Sequence, residues 1–138
     1  LTEHKEDLHW YLRQVEEVVI VALASLGLQA SRVEKYTGVW VEQRKIASIG
    51  VHARDGVTRH GFALNVDTDL SYFNLFTPCG IADVVMTSTR AELGQRAPSF
   101  SVVRERVVAA FATVFALQPV EITRRELEAY LPALVPVG

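Results

Sequence analysis

The hydrophobic period of the chain changes near residue 32, from the spacing of a helix to that of short strands. Apolar residues recur at helical spacing from residue 8 to residue 26, and Gly27 then provides a stop signal. The β-rich runs that follow are residues 39–41, 46–52 and 57–66. Asp55-Gly56, between the last two runs, is typical of a tight hairpin turn. The pattern predicts one helix followed by a largely antiparallel sheet.

Beyond residue 68 the pattern predicts mainly helices. Thr89 and Glu92 have the spacing of a capping box, and so do Thr123 and Glu126, so each pair marks the start of a short helix. The predicted segments are a helical turn at 69–73, a loop at 77–88, a short helix ending before Gly94, a helix opening at Pro98-Ser99, and a last helix stopping near Pro132. Residues 1–138 are therefore predicted to form a single domain of the α+β class.

Composition indicates a globular chain in a reducing compartment. Hydrophobic residues make up 49% of the 138 residues and charged residues 22%, and a single cysteine excludes an internal disulfide. The first 18 residues carry several charges, and the apolar run at 18–24 is too short to span a bilayer. We expect a soluble, cytoplasmic protein without a membrane partner. Because the sequence starts at Leu1, we also expect a fragment or a processed product.

Charge and motif searches argue against three kinds of partner. Residues 30–60 carry six basic and three acidic side chains, an excess too small and too scattered to predict a nucleic-acid site. One cysteine and four separated histidines lack the paired spacing of metal ligands. The sequence holds no G-x-G-x-x-G or Walker motif, so it predicts no nucleotide cofactor.

Cys79 lies in Thr77-Pro78-Cys79-Gly80, a segment built from turn-forming residues. A lone cysteine is commonly a small buried hydrophobe, but proline and glycine punctuate loops, and loops carry reactive groups. Glycine after the thiol also allows backbone amides to approach a bound oxyanion. Cys79 is thus a candidate nucleophile, with inert packing as the alternative.

A thiol with an ordinary pKa near 8.5 needs a basic or cationic neighbour to act at neutral pH. The sequence offers His52, His60 and Lys45 for this role. Taken alone, Lys45 is the solvated start of an apolar strand, and His60 is a structural residue. At this stage the three candidates remain open.

Four motifs, taken together and in order, resemble a known family. They are Gly38-Val39-Trp40-Val41, Lys45-Ile46-Ala47, His60-Gly61-Phe62-Ala63-Leu64-Asn65 and Pro78-Cys79-Gly80. The set closely resembles the octanoyltransferases of lipoate biosynthesis, also called lipoyl(octanoyl) transferases, over about residues 7–94. The resemblance implies the catalytic-domain fold of lipoate–protein ligases and biotin protein ligases, an α/β arrangement around a mixed sheet.

The resemblance also implies a reaction. An octanoyl group would leave octanoyl-acyl carrier protein, form a thioester on the enzyme's cysteine, and pass to a lysine. That lysine lies on a lipoyl domain of a 2-oxoacid dehydrogenase complex or on the glycine cleavage H protein. By position, Cys79 matches the nucleophile and Lys45 the lysine that activates it. The stretches that match the acyl site are Ser48-Ile49-Gly50 and Gly61-Phe62-Ala63. Thioester exchange needs no ATP, so no cofactor and no metal are expected.

The family pattern also contains an upstream segment that has no counterpart here. It carries an arginine-glycine-glycine run and a threonine-histidine-glycine-proline-glycine-glutamine motif, so we expect this chain to be truncated at the N-terminus. One alternative is therefore an incomplete, non-catalytic fragment that binds acyl chains or a carrier protein. Another is an ATP-using lipoate ligase, against which Cys79 argues.

Overall fold

The computed structural model describes residues 1, 7–76, 78–80 and 84–130, and only the backbone at Cys79 and Tyr130. Four helices and five strands lie in this part of the chain. The helices are α1 (Leu8–Ser25), α2 (Thr89–Leu93), α3 (Phe100–Phe115) and α4 (Arg124–Tyr130). The strands are β1 (Ser31–Val33), β2 (Tyr36–Val41), β3 (Arg44–Arg54), β4 (Val57–Leu64) and β5 (Val85–Met86). Short 3-10 turns cover Leu70–Leu75, Pro78–Gly80 and Gly94–Arg96.

Helix α1 confirms the first prediction. The Asp7 side chain caps its start by accepting the Trp10 backbone N–H at 3.0 Å, and the helix ends just before Leu26 and Gly27. Its buried residues include those expected from the apolar spacing: Val15, Val18, Val19, Ala22 and Leu23. The helix is held by this face, because 18 residues alone are only marginally stable in water.

The sheet is an antiparallel meander in the order β1-β2-β3-β4, and β5 adds to the same side of β3 as β4. The β3–β4 hairpin closes through Asp55 and Gly56, with φ values of 53° and 75°. Positive φ at both central residues matches the twist of paired strands, which confirms the predicted hairpin turn. The fold is therefore α+β with one parallel pair in a largely antiparallel sheet, as predicted.

Strand β5 is a correction to the predicted loop at 77–88. Val85 and Met86 run parallel to β3 and pair with Arg44 and Lys45. Two residues are too few to show a period, so only the tertiary pairing reveals this strand. The same predicted loop also contains the 3-10 turn at Pro78–Gly80.

The predicted helices of the second half are present, with one change of cap. Ser88 rather than Thr89 caps α2, since the Ser88 hydroxyl accepts the Ala91 N–H at 3.1 Å, and the Thr89 hydroxyl instead donates to the Val66 carbonyl at 2.8 Å. The capping box at Thr123 and Glu126 is confirmed by hydrogen bonds in both directions. The predicted stop near Pro132 falls outside the described residues.

Helix α1 separates two apolar clusters. The first packs α1 against the sheet and consists of Val19, Leu23, Leu28, Val39, Val41, Ile46 and Ala47. The second packs α1 against α3 and consists of Val15, Val18, Ala22, Ala110 and Phe115. Because α1 packs against α3 on one side and the sheet on the other, it fixes the positions of β2 and β3. Among the helices of the described residues, none is both long and apolar enough to cross a membrane.

Candidate functional site

Lys45 is buried at the start of β3, with only 1% of its surface exposed. Its Nζ donates a hydrogen bond to the Thr37 carbonyl at 3.3 Å and lies 5.0 Å from the centre of the Trp40 ring. An ammonium over an indole face is attracted by the ring quadrupole. The interpretation of Lys45 as a solvated strand end is therefore wrong.

A register shift between β2 and β3 accounts for this burial. Val39 pairs with Ala47 and Trp40 with Lys45, so β3 holds one residue more than β2 across this step. Such a bulge breaks the alternation of a strand and redirects its side chains. Residues 45–47 are consequently all buried, although strict alternation would expose at least one of them.

Three hydrogen bonds to backbone carbonyls connect this part of β3, Asn65 and Thr87, which lies in the segment that follows Cys79. The Thr87 N–H donates to the Lys45 carbonyl at 2.9 Å, and the Asn65 N–H donates to the Ile46 carbonyl at 3.0 Å. The buried Asn65 side chain closes the set by donating from Nδ2 to the Thr87 carbonyl at 3.0 Å. Asn65, the last residue of the motif at 60–65, therefore links β3 to the stretch just after β5.

Cys79 lies in the middle of the 3-10 turn at Pro78–Gly80, where Pro78 is buried and Gly80 exposed. Its side chain lies outside the described part of the structure. The backbone gives a limit all the same: five residue steps separate Gly80 from Val85, so their Cα atoms are at most about 18 Å apart. Val85 and Met86, five and six positions after Gly80, pair with Arg44 and Lys45. The Cys79–Lys45 pair stays a prediction.

The residues predicted to line an acyl site come together in the β3–β4 hairpin. Opposed pairs in the register are Ser48 with Ala63, Ile49 with Phe62, and Gly50 with Gly61. All six, together with His60, line a shallow, open pocket of about 550 Å³. The structure thus places these six residues together, and their role in acyl binding remains a prediction.

The two faces of this hairpin differ in side-chain size. Ile49 and Phe62 pack toward the cluster between α1 and α3. Because side chains alternate between the two faces of a strand, the adjacent cross-strand pairs, Ser48 with Ala63 and Gly50 with Gly61, lie on the other face. A Cβ added at Gly50 or Gly61 would meet nothing within 4 Å, which leaves that face open. Leu64, which also suggests itself as an apolar wall, lines a different pocket with Val66, Asp67 and Pro98.

The two histidines considered as partners for Cys79 lie in the exposed half of the hairpin. His52 pairs with Arg59, and His60 pairs with Val51. His60 lines the shallow pocket and has a φ of 71°, a left-handed conformation that is costly outside glycine. Of the three candidates, Lys45 alone is buried and paired with β5.

An ion pair connects the start of β3 to α2. Arg44 donates from Nε and Nη2 to the two Glu92 carboxylate oxygens at 2.8 and 3.0 Å. The hydrogen bond from Arg44 holds the pKa of Glu92 below its ordinary value, with the Thr87 hydroxyl contributing in the same direction against a desolvation penalty. Since Arg32 is likewise bound by Glu16 and Glu17, acids outside residues 30–60 neutralise the basic excess of that segment.

Sequence reasoning missed Glu16, whose side chain is 0% exposed. The signal was available: Glu16 lies one turn before Val19 and two before Leu23, inside the apolar stripe of α1. An acid inside such a stripe is either unfavourably buried or bound by specific partners. Within the described residues, no group of three or more His, Cys, Asp or Glu side chains is placed to hold a metal ion.

Comparison with known protein families decides the classification. Residues 1–112 match the model of the lipoyl protein ligase A/B catalytic domain. The chain belongs to the lipoyl protein ligase A/B catalytic domain family. Family membership accounts for the order of the four motifs and for the α+β fold.

Curated relatives within this family are named octanoyltransferases. The protein from Synechococcus elongatus is 44% identical over 97% of this chain and 58% of its own length. The protein from Chloroflexus aurantiacus is 51% identical over 86% of this chain and 54% of its own length. The chain therefore spans little more than half the length of the curated relatives it matches.

Solved structures with the same fold are lipoate–protein ligases. A bi-partite lipoate protein ligase from Thermoplasma acidophilum, studied with its E2 lipoyl domain, superposes with a TM-score of 0.70 at 22% identity. Lipoate-protein ligase A bound with ATP superposes with a TM-score of 0.66, also at 22% identity. This chain covers 52% and 53% of those chains, and the likeness at this identity concerns the fold alone.

Proposed function

We propose that this chain is the Lys45- and Cys79-bearing part of an octanoyltransferase acting in protein lipoylation. The observation that carries the proposal is the burial of Lys45 beside β5, the strand that follows the Cys79 turn. The names of the curated relatives supply the reaction class. The donor is octanoyl-acyl carrier protein, and the acceptor is a lysine of a lipoyl domain or of the glycine cleavage H protein.

The first step moves the acyl group to Cys79. The Cys79 thiolate attacks the carbonyl carbon of the octanoyl thioester, the bond to the carrier sulfur breaks, and that sulfur leaves as a thiol after taking a proton from the Lys45 ammonium, which becomes neutral. Lys45 has three N–H donors, one of which is used by the Thr37 carbonyl. Its positive charge stabilises a nearby thiolate, and thiol chemistry of this kind suits the cytoplasm, where cysteines stay reduced.

The second step moves the acyl group to the acceptor lysine. The acceptor amine attacks the Cys79 thioester, the carbon–sulfur bond breaks, and an amide forms. The thiolate leaves, and the amine loses a proton to Lys45 in its neutral form. The carrier thioester is exchanged for the Cys79 thioester, which is then consumed as the amide forms, so the two steps need no ATP.

The shallow pocket of the β3–β4 hairpin is proposed as part of the acyl site. Ser48, Gly50, Gly61 and Ala63 expose a floor of small residues, over which an extended chain can approach the backbone. The pocket begins three residues after Lys45, about 10 Å along the strand. An acyl chain lying on this floor therefore runs away from the reacting atoms.

The experiment is intact-mass analysis of the complete encoded protein after incubation with octanoyl-acyl carrier protein, without ATP. We expect one octanoyl adduct, absent from Cys79→Ser and formed at least about a hundredfold more slowly by Lys45→Met. Lys35→Met is the matched control, because Lys35 is exposed and also faces a ring, that of Tyr36 at 5.8 Å. An adduct that survives Cys79→Ser would contradict the proposal.

A second candidate is binding without reaction, in which the shallow pocket of the β3–β4 hairpin holds an acyl chain or contacts a carrier protein. In the same experiment, octanoyl-carrier binding by equilibrium titration with no adduct on Cys79 would favour this candidate. Modification of an acceptor lysine that requires free lipoate and ATP and still proceeds in Cys79→Ser would favour ligase chemistry instead.

A further inference from the structure

Glu16 is a buried charge that the proposed reaction does not use. It lies on the sheet-facing stripe of α1, with no exposed surface. A carboxylate removed from water must be compensated by donors on both oxygens. The identity of those donors determines what Glu16 can do.

One carboxylate oxygen of Glu16 accepts hydrogen bonds from two arginines, and the other accepts a hydrogen bond from the backbone of β2. Oε2 accepts from Arg13 Nη1 at 2.7 Å and from Arg32 Nε at 3.0 Å. Oε1 accepts the backbone N–H of Gly38 at 3.0 Å. The first contact neutralises the charge, and the second fixes a peptide group of the sheet.

The peptide group fixed by Glu16 is the one that binds Lys45. The N–H of Gly38 and the C=O of Thr37 belong to a single peptide unit, and that carbonyl accepts the hydrogen bond from Lys45 Nζ at 3.3 Å. In a trans peptide the N–H and C=O point in opposite directions. The carboxylate therefore lies at the positive N–H end of one peptide dipole and the ammonium at its negative C=O end, and both charges are stabilised by the dipole.

Strand β2 is irregular at the Thr37–Gly38 peptide, so this peptide can form hydrogen bonds with side chains. Between β1 and β2 the register shifts, from Val33 opposite Tyr36 to Ser31 opposite Trp40. Gly38 lies inside this interval with a φ of 143°. A Cβ at Gly38 would lie 2.7 Å from Lys45 Cε, so glycine lets the lysine stem pack directly on the backbone.

We propose that Glu16 is a positioning residue that orients and polarises the Thr37–Gly38 peptide and, through it, holds Lys45 in place for reaction at Cys79. Hydrogen bonds at the two ends of one peptide strengthen each other in a low-dielectric interior. Loss of the carboxylate charge weakens the carbonyl as an acceptor and releases the ammonium. The last step rests on the proposed function, whereas the link from Glu16 to Lys45 does not.

The rival explanation is purely structural: Glu16 ties α1 to β1 through Arg32. Two substitutions separate these roles. Glu16→Gln keeps an oxygen for the Gly38 N–H but removes the charge, and Arg32→Gln removes the tie to β1 while leaving the contact between Glu16 and Gly38. Arg13 continues to neutralise Glu16 in the Arg32 variant.

The first measurement is the amide proton shift of Gly38 by two-dimensional NMR of the full chain. We expect Glu16→Gln to move this resonance upfield more than Arg32→Gln does. We also expect Lys45→Met to move it in the wild-type background by more than in the Glu16→Gln background. Additive shifts would overturn the link, because independent hydrogen bonds do not polarise one another.

The second measurement is the single-turnover rate of octanoyl transfer to Cys79, at saturating carrier and corrected for the folded fraction. We expect Glu16→Gln to lower this rate about fivefold to tenfold, as expected when a charged acceptor becomes neutral, with an unchanged half-saturating carrier concentration. Arg32→Gln should stay within about twofold, and equal losses in the two variants would favour the structural role.

The NMR and kinetic measurements separate a failure of the proposed function from a failure of the role of Glu16. If Lys45→Met has no effect on acylation, the proposed function of Lys45 fails, whatever the NMR shows. If Lys45→Met slows acylation but the Gly38 shifts are additive, the role of Glu16 fails alone.

Discussion

The two halves of β3 belong to one strand but have opposite surroundings. The first half, residues 44–47, lies between β2 and β5 and is almost wholly buried. The second half, residues 48–54, pairs with β4, and each of its residues is either half-buried or exposed. Lys45, the proposed reactive group, is held in the first half, and the open pocket proposed for the acyl chain lies in the second.

The physical basis of the difference is the number of elements that contact each half. Lys45 is held by one backbone hydrogen bond from Thr87, by the Thr37 carbonyl and by the Trp40 ring. Gly50 has open space where a side chain would lie. Substitutions of the same type should therefore have unequal effects in the two halves.

The largest effect on stability is expected from glycine substitutions. In Gly38→Ala the new methyl group would meet the Lys45 stem and the Ala47 carbonyl oxygen at 2.7 and 2.8 Å, at a φ of 143°. Overpacking and backbone strain together should cost about 4 kcal/mol of unfolding free energy. In Gly50→Ala, which meets nothing, the cost should stay below about 1 kcal/mol. Urea unfolding followed by circular dichroism measures both, and equal losses would abolish the distinction between the halves.

A smaller but clear effect is expected from truncated aliphatic residues. Ile46 is 0% exposed and packs in the cluster between α1 and the sheet, so Ile46→Ala should cost about 3 kcal/mol. Val57, at the far end of the hairpin, is 64% exposed, and Val57→Ala should change stability by no more than about 0.5 kcal/mol. Thermal unfolding of the two variants provides the test, and a costly Val57→Ala would indicate that the far end is covered by another surface.

The smallest effect concerns ion pairs and depends on pH. Because the Arg44 hydrogen bond lowers the pKa of Glu92 on folding, this carboxylate contributes stability above its unfolded pKa of 4.5, and the contribution is lost as pH falls through the folded pKa. Glu92→Gln should therefore cost about 1 kcal/mol near pH 7, and less as the pH falls below 4.5.

The matched pair at the other end of the strand is Arg54 and Asp55, whose side chains are 77% and 88% exposed. Arg54→Gln should change stability by less than about 0.5 kcal/mol at any pH. Melting temperatures recorded from pH 3 to pH 8 distinguish the variants. A loss in Glu92→Gln that is constant with pH would rule out the ionised pair as its source.

Much of the fold was predictable because the signals are local. The apolar stripe of α1, the Asp55-Gly56 turn and the capping box at Thr123 each depend on residues within a few positions of one another. The cap of α2 shows the limit of such signals. Ser88 and Thr89 are both good capping residues, and the spacing to Glu92 favours Thr89, but Ser88 is the cap and the Thr89 hydroxyl donates to the distant Val66 carbonyl.

The candidate site was predictable in part. The six residues proposed for the acyl pocket lie together because a hairpin register follows from its turn, and the turn was recognised. The burial of Lys45 was not predictable from its position at a strand start, since it depends on a bulge and on the two-residue strand β5. The thiol of Cys79 lies outside the described part of the structure, so its meeting with Lys45 stays a prediction.

The sequence by itself determined the class of fold, the hairpin that brings Ser48 and Gly50 opposite Ala63 and Gly61, and the motifs that mark the family. Periods, turns and short motifs are properties of neighbouring residues, and a sequence contains them directly. Only the tertiary structure decided that Lys45 is buried, that Glu16 is its counterpart across one peptide, and that β5 exists. The last two depend on chain segments more than twenty residues apart, and the burial of Lys45 depends on β5 together with the bulge between the neighbouring strands β2 and β3. Packing and the need to satisfy buried polar groups determine how these segments meet.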